Sequence, residues 1–288
     1  MKPLRPALAL TCCLISGLTA QAQNDPPPTA REDASFLTER EPLKPLGKKM
    51  LTNIWLDQKA IWTSPFHMER RDAKWWILFG AATGGLIATD HWTSEQLPNT
   101  KDQIKYSGRV SDLGALYTVA PLTAGFYLVG SITDNAKARK TGLLGAEALA
   151  DGAILFETTK LALGRDRPLQ GDGHGHFFRG GDSFPSGHAM ESFALASVVA
   201  HEYRNKKLVP VLAYGLAALI SASRVSARQH FASDVVASGA AGWFIGTYVF
   251  ENSQKKSRSP MKAALSPQIR PEIQLGARSY GVTLAWHP

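Results

Sequence analysis

The sequence predicts an all-α protein, a helical bundle of about six core helices with a small C-terminal β-hairpin, and three observations carry that expectation. From Trp75 to Phe250 apolar residues recur at the spacing of one helix face, in segments separated by polar or Gly/Pro-containing breaks. Several of those segments are apolar nearly all round and rich in Gly, Ala and Ser, as close-packed helices are. Past Phe250 the pattern alternates instead, in Ile273-Gln274-Leu275 and Val282-Thr283-Leu284-Ala285-Trp286 around Ser279-Tyr280-Gly281, which reads as a hairpin.

In chain order, residues 1–22 read as a signal peptide. Lys2 and Arg5 are basic, Ala7 to Ala20 is apolar, and Ala20-Gln21-Ala22 suits cleavage. Both cysteines, Cys12 and Cys13, lie inside it, so the exported protein is expected to lack thiols, disulfides and Cys-ligated metal. Residues 23–50 are Pro-rich and charged and are expected to form a flexible lead-in. An amphipathic helix from Thr52 to Phe66 follows, with Ile54, Trp55, Ile61 and Trp62 as its apolar positions. The core helices are then expected at Trp75–Thr89, Leu113–Ile132, Thr141–Leu163, Ala189–Tyr203, Leu208–Ser223 and Val235–Phe250, within one domain of residues 51–252. Residues 253–288 form a basic linker and tail.

The 288 residues carry 32 Lys and Arg against 24 Asp and Glu, a net +8, which suits an anionic partner. Basic residues gather in alternate connections, as in a membrane protein, while Glu147, Asp151, Glu157 and Lys160 on a single helix are costly at bilayer depth. Integral membrane protein and soluble periplasmic bundle both remain open. The expected localisation is the cell envelope, periplasmic or inner-membrane with the active site facing the periplasm.

Three clusters carry chemistry. Lys160 is followed by Gly164, a plausible helix stop, and by Arg167-Pro168, so two cations project from one helix end. Phe184-Pro185-Ser186-Gly187-His188 directly precedes a helical run, where Ser186 can cap and free amides can donate to an anion. Ser223-Arg224, His230 and Asp234 form the third, with the last two one helical turn apart. Singly each has a bland reading: a solvated charge, a cap, a surface pair. Together they supply fixed cations for equatorial phosphoryl oxygens, a nucleophile and a proton donor, which is what phosphoryl transfer requires.

In spacing and order, K-x6-R-P, P-S-G-H and S-R-x5-H-x3-D resemble the signature motifs of the type 2 phosphatidic acid phosphatase and vanadium haloperoxidase superfamily. The resemblance covers about Leu113 to Phe250. It implies that His230 attacks phosphorus while Asp234 accepts from its other ring nitrogen. It further implies that His188 manages the leaving-group and water protons, and that Lys160, Arg167, Arg224, Ser186 and the Gly187 amide cradle the phosphate. No metal is implied, and no cofactor. Vanadate enters as an inhibitor, or as the cofactor of a haloperoxidase, the main alternative; a noncatalytic envelope protein binding anionic lipid is another. The expected substrate is a phosphorylated lipid or a small phosphoester, with membrane association possible and no nucleic acid partner.

Arg165, Arg179 and Arg228 are expected only to broaden the positive field. His174 and His176 are read as part of a mobile polar loop, His201 as structural, and Glu157 as pairing with Lys160. Changes at Arg165 or His201 are expected to matter far less than changes at Arg167 or Arg224.

Overall fold

A computed structural model describes residues 43–67 and 70–265. The signal segment, most of the lead-in and the expected hairpin lie outside the described residues. The elements are α1 (Leu43–Thr63), a 3-10 turn (Ser64–Phe66), α2 (Arg70–Glu95), α3 (Lys101–Ser111), a 3-10 turn (Asp112–Gly114), α4 (Leu116–Ile132), α5 (Ala136–Leu163), α6 (Gly187–Glu202), α7 (Leu208–Ser226) and α8 (Ala232–Leu265). The fold is all-α. The chain divides into two compact units, residues 1–250 and 251–288.

In the first unit α6 is the axle. It is buried along most of its length, from Gly187 to Ala200, because its sequence is small and apolar on every side. One core sets Met190, Ala194 and Val198 of α6 against Ile61 of α1, Leu144 and Phe156 of α5, and Ile245 and Val249 of α8. A second sets Leu195 and Val199 against Val119 and Phe126 of α4, Ala138 and Leu149 of α5, and Val209 of α7. Helices α4, α5, α6 and α7 pack successively, and α3 packs on α7. Glycine makes the closest approach possible: a Cβ on Gly242 would lie 2.1 Å from the Met190 carbonyl oxygen. These contacts bring the C-terminal ends of α5 and α7 and the N-terminal ends of α6 and α8 to one end of the bundle.

Three expectations need correction. Helix α1 begins at Leu43, inside the segment read as a flexible lead-in, and α8 runs to Leu265, well into the segment read as a linker. Helix α3 was not foreseen, since its sequence is largely polar and it docks by hydrogen bonds rather than by an apolar stripe. Thr100 caps it by accepting from the Gln103 amide at 3.3 Å. Gln103 and Ser107 then reach the carbonyl and hydroxyl of Ser226 at 2.7 and 2.8 Å.

Among the described residues two stretches, Lys101–Ile132 and Leu208–Ser226, are long and apolar enough to cross a membrane, and 28% of each apolar window is buried inside the protein. Substituting Gly242 with valine should overpack the α6–α8 contact and cost about 1–3 kcal/mol. Gly215→Ala on α7 meets nothing within 4 Å and should be neutral, or stabilising by up to about 1 kcal/mol, in an exposed helical position. Thermal unfolding of both variants checks the pair.

Candidate active site

Helix α5 ends where Gly164 adopts φ 48° and its amide donates to the Lys160 carbonyl at 2.8 Å. That left-handed cap turns the chain sharply. The next residue, Arg165, points inward and Arg167 outward. Residues 164–186 fold back on themselves: the amides of Arg179 and Gly181 donate to the Gly164 carbonyl, and the Ser183 amide donates to the Arg165 carbonyl at 2.9 Å. The returning strand of loop therefore runs beside Arg165 and delivers Phe184 to His188 to the head of α6.

Arg165 is fully buried, contrary to the expectation of a peripheral charge. Its guanidinium donates to Asp234 at 2.5 Å, Asp90 at 2.9 Å, the Ser233 hydroxyl at 2.7 Å and the Gly175 carbonyl at 3.0 Å. It also lies between the rings of Phe177 and Phe231, 4.8 and 4.4 Å from their centroids. Asp90, on α2, accepts from the Ser233 amide as well, at 3.1 Å, and so caps the start of α8. Sequence reading missed Asp90. It is 1% exposed and remote from every motif, so only its lone charge at the end of an apolar run hinted at a buried role.

The expected bond from His230 to Asp234 is replaced by another. The Nδ1 atom of His230 lies 2.6 Å from the Ser183 carbonyl oxygen and 3.8 Å from Asp234, so Nδ1–H donates to the peptide carbonyl. A carbonyl can only accept, which leaves Nε2 as the unprotonated nitrogen. Asp234 acts one step back, accepting from the Ser183 hydroxyl at 2.6 Å and the Phe231 amide at 2.8 Å. Burial, the largest influence on His230, holds its imidazole below the ordinary pKa and therefore neutral, while Asp234 and the Ser183 carbonyl pull the other way. Burial alone would push Asp234 up. His230, Arg165 and Ser183 more than offset it, and the carboxyl titrates below its usual range.

Around these two groups the remaining expected residues converge. Burial, and after it chiefly the charge of Arg224 with those of Lys160 and Arg167, push His188 down to about 3. Lys160 lies 5.1 Å over the ring of Phe156 and feels Glu157, Asp182, Arg167 and Arg224. Arg224 donates to Ser111 at 2.7 Å. The Arg167 fork closes on Asp182 at 2.6 and 2.7 Å and also reaches Gln229; its hydrogen bonds hold the Asp182 carboxyl below the ordinary range.

Ser186 occupies the N-cap of α6, but its side chain makes no capping bond. Its hydroxyl is buried without a partner, as is Nε of Arg224. A Cβ on Gly187 would stand 3.1 Å from the Phe156 ring, so a larger residue there requires that ring to shift. Elsewhere, His201 bonds the Ser197 carbonyl at 2.7 Å and rests against Phe250, a structural role as expected. His174 and His176 are tied down: both face Asp172, and His174 stacks on His91 at 3.7 Å. Among the described residues no group of His, Cys, Asp and Glu is disposed to hold a metal ion.

Removing Arg165 leaves Asp90 and Asp234 buried without their counter-charge, at a cost of about 3–5 kcal/mol. Arg165→Ala should therefore lower the unfolding midpoint sharply, whereas Arg179→Ala should not; equal midpoints would mean that the buried network bears no weight.

Residues 141–258 match the model of the PAP2 superfamily. No curated protein matches the chain. A solved structure described as the first transmembrane PAP2-type phosphatidylglycerolphosphate phosphatase, from Bacillus subtilis, is 20% identical, with a TM-score of 0.46 over 72% of this chain and 95% of that one. Over residues 141–258, then, the sequence matches the model of the family that its three motifs resemble.

Proposed function

We propose that the chain is a phosphatase that hydrolyses a phosphomonoester or pyrophosphate of a lipid through a phosphohistidine on His230, without a metal. One observation carries the reading: buried polar atoms of Ser186 and Arg224 that have no protein partner share a site with Lys160, Arg167 and two histidines. Unsatisfied buried donors are costly, and an anion with several oxygens satisfies them. The family match over residues 141–258 supports the same chemistry.

In the proposed cycle Nε2 of His230 attacks phosphorus and the bond to the leaving oxygen breaks. His188 gives that oxygen a proton, then takes one from the water that attacks the phosphohistidine. Phosphate leaves and His230 is restored. Lys160, Arg167 and Arg224, with Ser186 and the Gly187 amide, bind the three equatorial oxygens, where charge is greatest in the transition state. An apolar chain on the substrate fits the exposed apolar helices, and the signal-like segment fits an active site on the periplasmic side of the cell envelope.

His188 must carry a proton to act as the acid, yet in the free site its neighbours are cations. A phosphate dianion reverses that balance and favours the imidazolium. Binding of vanadate near pH 6.5 should accordingly take up protons, visible by calorimetry in buffers of different ionisation enthalpy. Binding with no proton uptake would remove His188 as the acid.

The function itself is tested by rapid alkaline quenching of His188→Ala with a nitrophenyl phosphate, whose leaving group needs no acid. Phosphate should accumulate on His230 and survive exhaustive chelation by EDTA. Label on Ser186 or Asp234, or activity restored only by added divalent metal, would overturn the mechanism. Arg167→Ala and Arg224→Ala should each lower kcat/KM by about two or more orders of magnitude. Halide oxidation by peroxide with vanadate, in place of phosphate release, would favour the haloperoxidase reading. Binding of anionic lipid without either activity would favour the noncatalytic one.

A further inference from the structure

Helix α2 lies outside the segment that matches the family, and its two halves are unlike. The last turns are polar and grip the catalytic loops. Asp90 holds Arg165 and the Ser233 amide. His91 bonds the Gly173 carbonyl at 3.1 Å and stacks on His174. Arg228 donates to the Ser94 hydroxyl at 3.3 Å and the Leu97 carbonyl at 3.1 Å. One helix end thus touches the 164–186 loop, Arg228 in the turn before His230, and the first turn of α8.

The other half, Trp75 to Thr89, contains no ionisable residue. Trp75, Trp76, Ile77, Leu78 and Phe79 are 62, 37, 71, 57 and 36% exposed. At 3.6 residues per turn, five consecutive residues go more than once round the helix, so apolar surface faces outward on every side. Ideal Cβ atoms on Gly80, Gly84 and Gly85 would meet nothing within 4 Å. A protein partner covers one face of a helix; an apolar medium surrounds it. The stretch is about 22 Å long. Paired tryptophans stand at the end where Arg70, Arg71 and Lys74 precede it in sequence, the arrangement of a membrane interface. Hydrocarbon is the occupant such a surface fits, as it fits the sparsely buried apolar windows in Lys101–Ile132 and Leu208–Ser226.

We propose that α2 couples the bilayer to catalysis: lipid around Trp75–Thr89 fixes the helix, and its Asp90, His91 and Ser94 then hold the loops that present Arg165 and His230. Without lipid the upper half has nothing to pack on and the lower half loses its fixed angle, so the loops loosen. The inference rests on the phosphatase reading, and goes beyond it in making even a soluble substrate depend on the membrane.

The full chain is compared in phosphatidylglycerol/phosphatidylcholine vesicles and in lipid-free buffer with a mild detergent below its micelle concentration. Two readouts are taken: turnover of a soluble nitrophenyl phosphate, and hydrogen exchange of residues 164–186. Vesicles should raise kcat/KM by about tenfold or more and slow exchange in the loop, a population shift toward the ordered site. The double variant Ile77→Asn, Leu78→Gln alters only the exposed half. It should lose most of both effects while melting at the temperature of the parent in lipid-free buffer. Equal kcat/KM and equal exchange with and without vesicles would overturn the coupling, as would α2 protected from exchange in a dimer that stays off vesicles. No turnover in either condition, with loop exchange still slowed by vesicles, would sink the phosphatase reading and leave the coupling standing.

Discussion

A single buried guanidinium holds the candidate site together. Arg165 ties α2 to α8 through Asp90 and Asp234, and its own peptide carbonyl receives the Ser183 amide. Ser183 in turn donates its hydroxyl to Asp234, and its carbonyl accepts from Nδ1–H of His230. The bonds therefore close a ring that starts and ends at residue 165. Every member is buried, so each lost partner leaves a desolvated polar atom uncompensated, and the ring stands or falls as a unit.

The bundle exists, in functional terms, to bring four helix ends to that ring. Helix α6 can be the axle because its small residues let α5 and α8 approach closely, with Gly242 and Gly246 of α8 set against the carbonyls of Met190 and Ala194. Where the helices end, cations collect: Lys160 closes α5 and Arg224 lies near the end of α7, both well placed against helix C-termini. His188 opens α6, where burial and then the neighbouring cations oppose its protonation. Neutral imidazoles among fixed positive charges suit a dianion, and under the proposed mechanism its arrival would favour protonation of His188.

Much of this was legible in the sequence. The core helices show because their apolar residues recur with helical period, and the three motifs show because their residue types and spacings are unusual in combination. What escaped has a common cause. Helix α3 docks through Gln103 and Ser107, and Asp90 and Arg165 meet across 75 residues of chain. Polar contacts of that kind leave no periodic trace. The His230 to Asp234 spacing suggested a direct pair, yet Ser183, brought in by the folded-back loop, takes the ring nitrogen instead. Local spacing shows which side chains share a helical face, whereas the third partner comes from tertiary structure.

The proposed chemistry turns on the tautomer of His230: with Nδ1–H committed to the Ser183 carbonyl, Nε2 is the free nitrogen and the proposed nucleophile. Nitrogen-15 NMR of selectively labelled protein reads this directly. At neutral pH the His230 ring should show a protonated Nδ1 and an Nε2 shift of the unprotonated, pyridine type, with no change on reaching higher pH. A proton on Nε2, or a doubly protonated ring at neutral pH, would contradict the assignment of His230 as the group that attacks phosphorus.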